Sequence, residues 1–222
     1  MKLREESGYV GKKIGVTVLF VTMASALIVN LPPARAADMS SGYIAAKIGI
    51  YSPQGDALED FDTGFDGELA LGYRKNNYAL ELEAGYFETN GKGTIFASGP
   101  PPVVVPGDVK ISVIPIDVNY KMFFPFGIFE PFGEVGAGIY VADADLSGGG
   151  LSFSDRSTSA GVHVGLGANL NITPQLFLGI EGRYLWAGEH QFVLGQIPVK
   201  VRIDGVIATA NFGYRFNVPS GR

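Results

Sequence analysis

The chain has 222 residues, no cysteine and a formal charge of −5, with 46% hydrophobic and 18% charged residues. That length suits one domain, and the missing cysteine excludes a disulfide framework or a thiolate metal site. The acid excess argues against nucleic acid as a partner, because phosphate binding needs clustered Lys and Arg.

At the N-terminus Lys2, Arg4, Lys12 and Lys13 precede an apolar run from Ile14 to Leu31, then Pro32-Pro33 and Ala34-Arg35-Ala36. A basic start, an apolar middle and a small-x-small end predict a signal peptide, residues 1–36, ahead of one barrel domain, residues 37–222. The run is long enough to span a bilayer uncleaved, but the Ala-x-Ala site favours cleavage. Residues 1–36 hold five of the 17 bases and two of the 22 acids, so the mature segment keeps 12 and 20, a formal −8. No later apolar run is long enough to span as a helix, so a membrane location requires strands.

Eight segments then alternate strictly, and the apolar parity of each carries no charged residue. A period of two means a strand with unlike faces. Strand one, Tyr43–Tyr51, sets Ile44, Ala46, Ile48 and Ile50 against Lys47. Strand two, Phe65–Arg74, sets Phe65, Leu69, Leu71 and Tyr73 against Asp66, Glu68 and Arg74. Strand three, Tyr78–Phe87, carries Glu81 and Glu83 opposite Leu80, Leu82 and Ala84. Strand four ends in Ile114, Ile116, Val118, Tyr120 and Met122, against Asp117, Asn119 and Lys121.

Strand five, about Phe132–Ala142, opposes Val135, Ala137, Ile139 and Val141 to Glu134, Gly136 and Gly138. Strand six, about Ala160–Leu170, opposes Val162, Val164 and Leu166 to His163, Gly165 and Gly167. Strand seven, Leu176–Trp186, opposes Leu178, Ile180 and Tyr184 to Glu181 and Arg183. The last strand puts Val206, Ala208, Ala210, Phe212, Tyr214 and Phe216 against Thr209, Asn211, Gly213 and Arg215.

The connections alternate in length. Lys75–Asn77, roughly Phe123–Pro131 and Asn171–Gln175 are short; roughly Ser52–Gly64, Glu88–Gly107, Asp143–Ser159 and Ala187–Gly205 are long. Outer-membrane barrels have short periplasmic turns and longer outer loops. Three features place lipid rather than water on the apolar side. Tyr73, Tyr78, Tyr120, Tyr214 and Phe216 mark one end of the strands, and Phe65, Tyr86 and Trp186 the other, as two aromatic girdles would. The polar parity is sparse in charge and rich in Gly and Ala, which suits a narrow interior. The chain also closes on an aromatic strand. The fold expected is all-β: an eight-stranded antiparallel transmembrane barrel, an up-and-down meander, in the outer membrane of a Gram-negative cell.

The segment from Ile111 to Tyr120 (ISVIPIDVNY), followed by Phe129 to Gly138 (FEPFGEVGAG), resembles strands four and five of the small OmpA-like and OmpW-like outer-membrane barrels. Val201–Asp204 running to Gly213–Phe216 is similar to their last strand, and the resemblance covers the whole mature chain. Asn211, Gly213, Phe216 and Val218 match the pattern read by the barrel-insertion machinery, a partner the resemblance implies. The chain departs from that pattern in continuing from Asn217 to Arg222 past the aromatic. Cell-wall tethering of the full-length OmpA type is not expected. The family's functions vary too widely to transfer one.

The inward parity gathers the acids Asp66, Glu68, Glu81, Glu83, Asp117, Glu134 and Glu181 and the bases Lys47, Arg74, Lys121, Arg183 and Arg215, with His163 among them. A barrel of eight strands is just wide enough for side chains to fill. Isolated charges there cost several kcal/mol each, so a plug of ion pairs is expected. A gated polar pore favouring cations is the alternative. Gly136, Gly138, Gly161, Gly165 and Gly167 are read as room for bulky lumen residues such as Tyr140, Phe87 or Arg183.

No catalytic residues, cofactor or metal are expected. His163-Val-Gly165 has glycine where a lipid A deacylase of this architecture places serine, and His190 stands beside Glu189 without a nearby serine. Asp56, Glu59, Asp60 and Asp62 meet no cation-ligand spacing and are read as a solvated loop. Pro100, Pro101, Pro102, Val103, Val104 and Val105, with Phe192 and Leu194, make two apolar outer loops that either pack over the mouth or form an apolar contact site. The expected role is structural, in envelope integrity. The protein is expected to be a monomer among outer-membrane lipid and lipopolysaccharide. A passive channel for small or hydrophobic solutes and a loop-borne adhesin are the other two readings.

Overall fold

The alternating segments close on one another through hydrogen-bonded registers. A computed structural model of the chain describes residues 40–54, 58, 61–97, 103–149, 151–194 and 197–217. The expected signal peptide, Asp56, Glu59, Asp60, Pro100, Pro101, Pro102 and Val218 lie outside the described residues. The strands are β1 (Ser40–Pro53), β2 (Gly64–Lys75), β3 (Tyr78–Ala97), β4 (Val103–Phe123) and β5 (Phe129–Gly148). They continue as β6 (Leu151–Asn171), β7 (Leu176–Ala187), β8 (Glu189–Leu194), β9 (Ile197–Arg202) and β10 (Gly205–Asn217). Eight of them form a closed antiparallel barrel in the order β1-β10-β7-β6-β5-β4-β3-β2, while β8 and β9 make a separate hairpin. β1 closes the wall, pairing Lys47 with Asn211 on one side and with Glu68 on the other.

Alternation sorts the two faces as the period of two requires. Ile48 is 62% exposed and its neighbour Lys47 4%. The tight turn between β2 and β3 is Asn76-Asn77, with Asn76 at φ 55°, a left-handed conformation that asparagine adopts more readily than most residues. Tyr78 and Tyr120 stack at 5.8 Å in the girdle at this end, and Tyr184 meets Trp186 at 4.6 Å in the other.

Two expected loops are wall instead. β3 and β4 run on until Ala97 pairs with Val103, and β5 and β6 until Gly148 pairs with Leu151, so Glu88–Gly107 and Asp143–Ser159 are mostly strand. The reason is a change in sign of the pattern. Through the belt, even residues of β4 (Ile114, Ile116, Val118) face out; above it Lys110 and Ser112 hold that face and Val109, Ile111 and Val113 turn in. Asp143 and Asp145 on β5, against inward Ala142 and Ala144, repeat the inversion. The core above the belt is therefore apolar and internal, built around Tyr51, Phe87, Val113, Tyr140, Leu185 and Ile203. A smaller cluster at the turn end includes Tyr43, Phe123, Phe132 and Phe177.

Candidate functional site

Every barrel strand sends alternate side chains into the lumen, and the belt fills it with charge. Lys47 on β1 reaches Glu81 at 3.3 Å and Glu181 at 3.0 Å, and also contacts Glu83. Lys121 on β4 lies 3.0 Å from Glu81, 3.1 Å from Glu134 and 2.9 Å from Glu181. Arg183 on β7 pairs with Glu68 and Glu83 across the barrel. The network spans six strands, so each ammonium is a cross-brace between walls. Glycine leaves the space for it: a Cβ on Gly165 would lie 2.9 Å from that of Arg183, and one on Gly161 2.7 Å from the Tyr140 ring. Phe87 packs instead on Tyr51, ring centroids 4.5 Å apart.

Above this network, Tyr140 donates to Asp117 at 2.6 Å and its hydroxyl lies 3.4 Å from Nδ1 of His163. Below it, Arg74 and Arg215 clamp Glu130 at 3.1 Å and 2.6 Å. Each of those guanidiniums also covers a ring, Arg74 that of Phe123 at 4.3 Å and Arg215 that of Phe177 at 4.7 Å. Between floor and network lies a cavity of about 20 Å³, lined in part by Lys47, Glu81, Lys121, Arg74 and Arg215. That is room for about one water.

All thirteen expected lumen residues therefore face inward, but they form two charge clusters and an upper polar group rather than one network. Arg74 and Arg215 belong to the floor, and Asp66 has no hydrogen-bond partner on either oxygen. Glu130 lies ahead of the expected start of strand five at Phe132, because the strand begins at Phe129, and it shares the inward parity of Glu134. Two neutral side chains join the network as well: Tyr43 donates to Glu81 at 2.8 Å and Asn119, expected inward on strand four, donates to it at 3.3 Å. Tyr43 shares the inward parity of Lys47, which is the sequence signal for it.

The outer residues expected as an apolar patch fall, where they are described, on β4 and β8. Phe192 on β8 is 1% exposed, packed into the upper core. Val103, Val104 and Val105 lie in β4, opposite Ala97, Phe96 and Ile95, and Leu194 pairs with Ile197 at the hairpin tip. His190 is not a solvated loop histidine without a serine: it is fully buried, with Nε2 2.7 Å from Oγ of Ser159. The two residues stand 31 apart in the sequence, which gives no sign of the pair. Its ring lies parallel to Phe192 at 5.9 Å, and β8 is held to β6 by Asp155 and Ser157 side chains accepting from Val193 and Gln191. Of the insertion pattern, Asn211 and Gly213 face inward and Phe216 outward. Among the described residues no group of three His, Asp or Glu is arranged to hold a metal ion.

A family model described as outer membrane protein beta-barrel domain matches residues 21–216. No curated protein matches the sequence. Among solved structures, Neisserial surface protein A is similar at 19% identity over 82% of this chain and 100% of that one, with a TM-score of 0.51. OprG of Pseudomonas aeruginosa is similar at 16% identity over 82% and 99%, TM-score 0.51. A major outer membrane protein of Thermus thermophilus aligns at 14% identity over 80% and 99%, TM-score 0.55. At these identities the likeness is one of fold.

Proposed function

The chain belongs to the outer membrane protein beta-barrel domain family, and from that premise we propose that it is a sealed, non-catalytic barrel with a structural role in the envelope. One observation carries this reading. Among the described residues the lumen holds an apolar cap, a cross-strand ion network and an arginine–glutamate floor, with a cavity of about 20 Å³ between network and floor. Such an interior stiffens the wall and leaves no path for a solute. The outward apolar belt then anchors the molecule as a monomer in lipid, and the polar extension above it stands among lipopolysaccharide sugars. The insertion machinery is the partner that would read Asn211, Gly213 and Phe216.

Planar-bilayer recording of the refolded protein tests the reading. It predicts electrical silence across the voltage range, together with detergent sensitivity in cells lacking the protein. Steady single-channel conductance would make the protein a channel instead. Surface binding lost on exchanging the β8–β9 hairpin, with no envelope defect, would make it an adhesin.

A further inference from the structure

The belt's ion network is short of positive charge. At mid-lumen the seven carboxylates face three permanent cations, Lys47, Lys121 and Arg183, and none of the ten is more than 5% exposed. The remaining strands do not close the gap: β6 contributes His163, and β10 the neutral Thr209 and Asn211. Adding the floor, where Arg74 and Arg215 hold Glu130, still leaves eight carboxylates against five cations.

A second count, of hydrogen bonds, finds the same deficit. Both oxygens of Asp66, Oε1 of Glu134, Oε2 of Glu68, Oδ1 of Asn119 and Nε2 of His163 are buried without a hydrogen bond, and Oε2 of Glu134 keeps only its ion pair with Lys121 at 3.1 Å. The oxygens among them are all acceptors, so what the lumen lacks is donors as well as positive charge. An ionised carboxylate with no donor on either oxygen is the costliest group to bury. A protonated carboxyl loses the charge and gains an O–H to give to a neighbouring acceptor. A metal ion fits less well, because the cavity between network and floor is lined by Lys47, Lys121, Arg74 and Arg215 against a single acid, Glu81.

We infer that the closed lumen is a proton-binding site: three or four of its carboxyls, Asp66 foremost, keep a proton at neutral pH. The unfolded chain ionises its carboxyls near pH 4, so the protons are bound by folding. Each one makes the unfolding equilibrium constant rise about tenfold per pH unit while the fold holds it. The stabilisation is complete below the ordinary carboxyl range and is lost as pH rises through the point where the lumen lets its protons go. Any opening that admits water releases them, so acid tightens the barrel and alkali loosens it.

Refolding from urea into detergent micelles, in weakly buffered solution with an indicator dye, counts the protons. Uptake of roughly three per chain at pH 7 is expected, falling by about one in Asp66→Asn, with an unfolding constant that rises on the order of a thousandfold from pH 6.5 to 7.5. Should that variant not fold, the protonated-carboxyl stretching band in the infrared spectrum of the folded wild type gives the same answer. Uptake below one proton, with no such band, overturns the inference. A urea midpoint that depends on sodium against a bulky organic cation, without proton uptake, assigns the site to a metal ion and overturns it too. The count is separate from conductance: a barrel that conducts and still takes up protons loses the sealed-plug reading and keeps this one.

Discussion

The belt and the extension above it are built from the same eight-stranded wall with opposite polarity. In the belt Ile116 and Val118 face outward and Asp117 faces in; higher on the same strand, Lys110 faces outward and Ile111 is buried. One backbone rule, alternation, serves both. The solvent decides which parity is apolar: hydrocarbon demands an uncharged exterior and so displaces charge inward, whereas water restores the ordinary apolar core. The bilayer edge is therefore written into the strands as a one-residue slip in hydrophobic phase, at Val113–Ile114 on β4 and Val141–Asp143 on β5.

The contrast can be broken hardest from inside the belt. Arg183→Ala removes the partner of Glu68 and Glu83 and leaves buried charge uncompensated, an expected loss of about 3–5 kcal/mol in urea unfolding from micelles. An unchanged midpoint would mean the interior is wet. Next in size is a matched pair on the outer face. Val118→Arg, lipid-facing, costs about 2–4 kcal/mol, while Thr158→Arg, on the outer face of the extension, changes stability by less than about 0.5 kcal/mol. Equal costs at the two sites would erase the difference between the regions.

Phe192→Ala sharpens the comparison at the cap. β8 meets β6 largely through side chains, so the hairpin should undock before the barrel feels the full cost of about 3–5 kcal/mol for a buried phenylalanine. Faster protease cleavage between β8 and β9, with the barrel midpoint kept, is the expected result. The smallest effect is one of pH. Burial holds the His190 imidazole below its usual range, outweighing the opposing hydrogen bond with the Ser157 backbone. The neutral form is the folded one, so its contribution is present above the ordinary histidine range and is lost as pH falls below it. Hairpin cleavage should accelerate between pH 7.5 and 5 in the wild type and lose that dependence in His190→Gln.

The belt was legible residue by residue. β1, β2, β7 and β10 needed only the period of two and the uncharged parity, and every expected lumen charge faces inward. The upper halves of β3 to β6 were not, because the inverted phase at residues such as Lys110 and Ile111 mimics the end of a strand. Pairing inside the lumen was illegible for a different reason. Parity says that Lys47 and Glu181 point inward, but their contact depends on register and closure over 134 residues of separation. The Ser159–His190 contact and the docking of Phe192 likewise depend on a hairpin folding back over the mouth.

Accessibility scanning of single cysteines along β4 tests the central claim most directly, with the chain's lack of native cysteine making each label unique. Labels at 114, 116 and 118 should be quenched by lipid-borne quenchers and spared by aqueous ones, labels at 108 and 110 the reverse, and a label at 111 shielded from both. Aqueous quenching at every even position from 108 to 118 would contradict the account, because the apolar parity would then face water and the belt would not exist.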